Sequence, residues 1–156
     1  MKKCGFVSII GESNAGKSAL INQLVGQKVS IVSRKIQTTV SRILGIAIYN
    51  DCQIIFIDTP GFLTKKQSLE KVAWDAFRES EDILFVVDVT KKNFERSIGL
   101  LKKINAEKKV SLILNKIDLI HKPKILEIIN QFKDIRNFKN IFAVSALTGD
   151  GVNDIK

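Results

Sequence analysis

The sequence predicts an α/β fold: a six-stranded, mostly parallel sheet with one antiparallel edge strand and helices on both faces. Three observations predict it. Short apolar runs rich in Val and Ile recur along the chain, as strands buried on both faces require. Segments of helical periodicity separate most of these runs, and parallel strands need such crossovers. Only one pair of runs is joined by a two-residue turn, Asn50-Asp51, which places a single antiparallel hairpin in the sheet.

The elements follow in order. Phe6–Ile10 is a β-branched-rich first strand, and after a small-residue loop Leu20, Ile21 and Leu24 recur at helical spacing. Gly26 is placed to cap that helix. A polar, basic stretch covers Gln27–Ser41, and Ile43–Tyr49 with Gln53–Asp58 forms the hairpin. Ser68–Ser80 reads as a helix with Leu69, Val72, Ala73 and Ala76 on one face. Ile83–Asp88 is a buried strand, and the helix near Phe94–Lys103 presents Ile98, Leu101 and Ile104. Val110–Asn115 is the fifth strand. Pro123 suits a helix's first turn, and Ile125, Ile128, Ile129 and Phe132 follow it at helical spacing. Ile141–Val144 is the sixth strand, and a last helix begins after Val152 with most of its length missing by Lys156. In such a sheet ligands bind at the carboxyl ends of the strands.

A chain of 156 residues suits one domain with a single core. No window approaches the ~20 apolar residues of a membrane span. Met1-Lys2-Lys3 and the apolar run after it mimic a signal peptide, but the run stops at Gly11 and already serves as a strand, which argues against export. Cys4 and Cys52 are isolated, without metal-ligand spacing, and suit a reduced, cytoplasmic protein. His121, beside Lys122 and Pro123, reads as a loop residue rather than a ligand. The net charge of +9 suits a polyanionic partner such as RNA or an anionic membrane surface. The lysine pairs are scattered without interleaved aromatics, however, so this segment alone lacks a stacking platform for nucleic acid.

The loop after the first strand carries chemistry. Gly11-Glu12-Ser13-Asn14-Ala15-Gly16-Lys17-Ser18-Ala19 has the glycine, lysine and hydroxyl spacing of a phosphate-binding loop. Its glycines let backbone N–H groups turn toward phosphates, and the following helix adds its positive N-terminus. Lys17 is placed for the β- and γ-phosphates and the Ser18 hydroxyl for Mg²⁺. This loop alone does not separate ATP from GTP.

Four more loops fall at the same edge. Asp58-Thr59-Pro60-Gly61 closes the third strand, where an acid can hold Mg²⁺ through water and the Gly61 N–H can meet a γ-phosphate. Asn115-Lys116-Ile117-Asp118 closes the fifth. A carboxylate there accepts from guanine N1–H and the exocyclic amine, donors that adenine lacks at those positions, while the Lys116 stem covers the base plane. Ser145-Ala146-Leu147 closes the sixth, where a backbone N–H of a small residue can meet guanine O6. Thr38-Thr39 offers a hydroxyl to complete a Mg²⁺ shell.

Together these loops resemble the five nucleotide-binding motifs of the translation-factor-related GTPases, which makes the nucleotide GTP. "GQKVSIVSRKIQTT", residues 26–39, then "SRILGI", 41–46, is similar to the Era GTPases of the TrmE–Era group, and "GESNAGKS" and "DTPGF" agree with that. The resemblance implies a P-loop NTPase G domain over residues 1–156, its last helix incomplete and no KH domain following. It implies a monomeric, slowly hydrolysing GTP/GDP switch, with moving segments at Gln27–Ser41 and Phe62–Lys71. Thr39 rather than Thr38 joins Ser18 and Asp58 around Mg²⁺. Lys17, Asn14, Thr39 and Gly61 take the catalytic roles, and Asn14 also coordinates K⁺. Thr59, Pro60 and Phe62 adjoin the nucleotide. For intact relatives it further implies small ribosomal subunit assembly, 16S rRNA, and peripheral association with the inner membrane.

The chain departs from the family pattern at Val40, where arginine is usual, and at Ser13, where proline is usual. The segment between Gly61 and Ile83 is short, and Phe62 stands where Ras-like enzymes place a water-orienting glutamine. Two other readings stay open at this stage. One is a nucleotide-binding remnant or interaction module without useful GTPase or rRNA-binding activity. The other is a metabolic P-loop kinase or ATPase, against which Asp118 and Ser145-Ala146 argue.

Overall fold

The computed structural model describes residues 3–26, 42–58, 80 and 82–155. The basic stretch with Thr38, Thr39 and Val40, the loop from Thr59 to Phe62, and the helix expected over 68–79 lie outside them.

Six strands form one sheet: β1 (Lys3–Gly11), β2 (Arg42–Tyr49), β3 (Cys52–Asp58), β4 (Asp82–Asp88), β5 (Val110–Asn115) and β6 (Ile141–Val144). Their spatial order is β2-β3-β1-β4-β5-β6, and every pairing is parallel except β2 with β3. The hairpin turn is Asn50-Asp51 with φ of 45° and 65°, a left-handed pair whose twist matches that of antiparallel strands. Strand β1 begins three residues before its apolar run. Lys3, Cys4 and Gly5 pair with Cys52, Gln53 and Ile54 through backbone bonds that need no side-chain pattern. Cys4 and Cys52 are free thiols.

Alternation in the central strands builds two cores. Ile10, Ile83, Phe85, Val87, Leu112 and Leu114 face helices α2 (Glu95–Lys103) and α3 (Lys122–Lys133), where Leu101, Ile128 and Phe132 close the layer. Ile9, Leu84, Val86 and Ile113 face the other way, against Leu20, Ile21 and Leu24 of α1 (Lys17–Val25). Burial of one such side chain contributes about 2–3 kcal/mol, so both helical layers are needed to hold the strands.

In helix α2 Leu101 is buried, as is Ile104 just after it, both as expected, and Ile98 is partly covered, but Ser97 and Leu100 are buried with them. A serine in the stripe hides the periodicity, and it is buried because its hydroxyl has a partner in the phosphate loop. The segment after Val152 is a 3-10 turn, Val152–Ile155. Arg136 staples the turn between α2 and β5, donating to the carbonyl oxygens of Ile104, Asn105, Ala106 and Lys108 at 2.9–3.5 Å. Among the described residues no helix is long and apolar enough to cross a membrane.

The chain leaves β1 toward β3 on one side and returns past it to β4 on the other. The carboxyl end of β1 is therefore the switch point of the sheet, where a crevice opens.

Candidate functional site

Gly11 ends β1 against β4. A Cβ on Gly11 would stand 2.5 Å from the Val86 carbonyl oxygen, so only hydrogen fits between the strands here. The loop then turns through an Ala15 N–H bond to the Glu12 carbonyl, Asn14 at φ 64° and Gly16 at φ 92°. Gly16 starts α1, accepting the Leu20 N–H at 2.9 Å. No side chain caps this helix and its first turn holds no acid, so its positive amino end suits an anion. Lys17 folds back across the loop and donates to the Gly11 carbonyl at 2.6 Å. Ser18 and Ala19 are exposed at the first turn, and so are Ser13 and Asn14 in the loop.

Glu12 is the residue that looks wrong for phosphate, because a carboxylate there repels it. The structure turns it away. Its Oε1 accepts the Ser97 hydroxyl at 2.6 Å and its Oε2 lies 4.0 Å from Lys91 Nζ, both on the α2 side. A cavity of about 490 Å³ opens there between the loop and Arg96, Gly99, Leu100 and Lys103.

Asn115 organises the rest. It is 1 % exposed at the end of β5. Its amide donates to the Ala15 carbonyl at 2.9 Å, and its Oδ1 accepts the Ala146 N–H at 2.9 Å. One buried side chain thus ties the phosphate loop, its own loop and the Ser145–Leu147 loop together. The Ala146 N–H, a candidate for guanine O6, is engaged here by Asn115. Leu147 follows it, 81 % exposed, and its N–H has no partner among the described residues. Ser145 is buried and shapes the turn, its N–H bonded to Asp150 and its Oγ accepting from Thr148.

Lys116 stands in the left-handed region at φ 70° and opens a 3-10 turn, Ile117–Leu119, that carries Asp118 exposed at the sheet edge. The Lys116 ammonium donates to the Asn14 carbonyl at 2.9 Å and to Asp88 Oδ2 at 2.7 Å. Burial opposes charge on Asp88, but hydrogen bonds from Lys116 and Thr90 outweigh it and hold its carboxyl below the usual carboxylate range.

The β3 end also reaches the site. Asp58 registers with Ile9, two residues before the phosphate loop begins. The structure therefore gathers residues 11–19, 115, 116, 118 and 145–147 with the Asp58 backbone along one edge. Thr39, Thr59, Pro60, Gly61 and Phe62 fall outside the described residues. Sequence reasoning passed over Asp88, Thr90 and Ser97. The available signal for the first two was a buried strand ending in Asp-x-Thr, the pattern of a side chain bonding its own turn.

Residues 6–116 match the family described as 50S ribosome-binding GTPase. The chain is 39% identical to GTPase Era of Afipia carboxidovorans over 99% of its own length and 52% of that protein. It is 34% identical to a crystallised Aquifex aeolicus Era variant bound to GDP and AlF4⁻, with a TM-score of 0.72 over 98% of this chain and 55% of that one. A crystal structure of Era with MgGDPNP and nucleotides 1506–1542 of 16S ribosomal RNA is also 34% identical, TM-score 0.68, over 99% of this chain and 55% of that one. The chain spans about half the length of the Era proteins it matches. With its loops at the switch point of a G-domain sheet and this match over most of its length, the chain belongs to the 50S ribosome-binding GTPase family.

Proposed function

We propose that this chain binds GTP and GDP along the β-strand edge and hydrolyses GTP slowly, as an Era-type switch. The observation that carries the reading is the Asn115 bridge. It fixes the phosphate loop and both base-side loops relative to one another. Lys17 and the positive amino end of α1 hold the phosphates. Asp118 reads guanine N1–H and the exocyclic amine, and the Leu147 N–H, without a partner among the described residues, reads O6 in place of the Ala146 N–H that Asn115 engages.

The residues present also suit hard cations, which take oxygen ligands. The Ser18 hydroxyl is exposed with no partner among the described residues, and Asp58 ends the neighbouring strand, so these two with Thr39 are assigned to Mg²⁺. The Asn14 side chain is likewise exposed and without a partner, while its own carbonyl is tied to Lys116, and it is assigned to K⁺. Bound cations supply charge against the phosphate oxygens. The chain's own part is positional: Lys17 and the loop amides orient the γ-phosphate, and Gly61 supplies a further N–H.

Equilibrium competition between GTP and ATP, with Mg²⁺ present, tests the nucleotide. GTP is expected to win by a hundredfold or more, on the order of the discrimination that buried polar groups provide; equal competition removes the guanine reading. Turnover compared in KCl and NaCl at equal ionic strength tests Asn14. Faster hydrolysis in KCl is expected, and equal rates take Asn14 out of the mechanism.

A role at the small ribosomal subunit is a second reading. It is favoured by similarity to the Era whose structure holds a 16S rRNA fragment, and the net charge of +9 suits a polyanion.

A further inference from the structure

We infer that Asp88 is a positioning residue for base recognition: it holds the Lys116 ammonium so that the Lys116 stem is already extended where a guanine base stacks. The inference rests on the guanine-nucleotide reading above. Asp88 closes β4 directly beside Asn115, its register partner at the end of β5. Its two oxygens have separate tasks. Oδ1 accepts the Thr90 N–H at 2.9 Å and the Thr90 hydroxyl at 2.6 Å, which fixes the carboxylate within its own turn. Oδ2 is left with one partner among the described residues, Lys116 Nζ at 2.7 Å. A carboxylate needed only for the turn has no use for that second contact.

Lys116 is fixed at both ends as a result. Its backbone sits at φ 70° and its ammonium is shared between Asp88 and the Asn14 carbonyl. The methylenes between must span from the β5 end to the phosphate loop, along one wall of the base site. A free lysine loses its rotamer freedom when a base stacks on it, whereas a held one has lost it already. Asp88 is itself only 7 % exposed, while the Lys116 side chain is about a third exposed, so the pair is partly shielded from solvent.

The test is a double-mutant cycle read by GDP binding. Asp88→Asn keeps an acceptor for Thr90 and removes the charge that faces Lys116. Lys116→Met keeps the apolar stem and removes the ammonium. Each single change is expected to weaken GDP about three- to tenfold, the cost of ordering one long side chain. The double variant is expected to lose no more than the worse single. Thr90→Val loosens the anchor of Oδ1 and is expected to act in the same direction, more weakly. Thermal unfolding without nucleotide checks that each variant is folded. GDP affinity within twofold of wild type in Asp88→Asn, with Asp118→Asn still losing GTP, overturns this inference and leaves the guanine reading standing. Independent, additive losses in the cycle overturn it too. No GDP binding by the wild type overturns both.

Discussion

Asp118→Asn is expected to weaken GTP binding by about 3 kcal/mol, roughly a hundredfold, and to favour xanthosine nucleotides instead. In the proposed reading the carboxylate accepts two charge-assisted hydrogen bonds from guanine. An asparagine amide turns a donor toward a donor and loses the charge from both bonds. Xanthine presents a carbonyl in place of the exocyclic amine, and that oxygen accepts from the new amide. The fold should be indifferent, because Asp118 is exposed and makes no hydrogen bond or ion pair within the described residues. Surface changes of this kind stay within about 0.5 kcal/mol. Titrations with GTP and xanthosine triphosphate, alongside urea unfolding without nucleotide, separate the two effects. An unaltered GTP affinity removes Asp118 from base recognition.

Gly16→Ala should be more damaging, since it strikes stability and binding at once. Gly16 stands at φ 92°, where a side chain costs about 1–2 kcal/mol. Its Cβ would also overlap the Asn115 side-chain amide. Moving that amide breaks the Asn115 bonds to Ala15 and Ala146, each a buried pair whose loss costs about 1–3 kcal/mol. The expected destabilisation is about 3–8 kcal/mol, with nucleotide binding lost because the loops no longer hold their register. Gly26→Ala is the control. Gly26 also has positive φ, 65°, but nothing lies within 4 Å of its Cβ position, so only the conformational cost remains. Urea unfolding of both variants decides it. Equal losses at the two glycines would show that the Asn115 contact contributes nothing.

The central strands β4 and β5 were legible in the sequence because they are buried on both faces. Val110–Asn115 and Ile141–Val144 appear with the limits expected, since short apolar-rich runs flanked by polar residues leave little choice of boundary. Strand β1 was longer than its apolar run because its first residues are held by backbone pairing alone. In α2 the buried stripe was obscured by Ser97, whose partner Glu12 lies 85 residues away. The loops of the site were legible for a different reason. Gly11, Gly16, Lys17, Asn115 and Asp118 are residue types that few other tasks require at that spacing. What the chain did not advertise was the wiring between loops. Nothing local distinguishes Asn115 as a strut from Asn115 as a polar end to a strand, or Asp88 as a holder of Lys116 from an acid in a turn.

The Asn115 bridge also constrains the order in which the molecule can assemble. It joins Ala15 to a residue 100 positions later and that residue to Ala146, 31 positions beyond. These contacts cannot form until β1, β4, β5 and β6 lie side by side, and parallel strands meet only after their crossovers are closed. Pairings so distant in sequence are slow to form, because loop-closure entropy is lost before the contacts offset it. The phosphate loop closes on local bonds, but its link to the base-side loops waits for the whole sheet. Nucleotide that needs every loop in place therefore favours the completed state over partly folded ones. Its stabilisation falls on the completed state, slowing escape from it and leaving the climb toward it unaided.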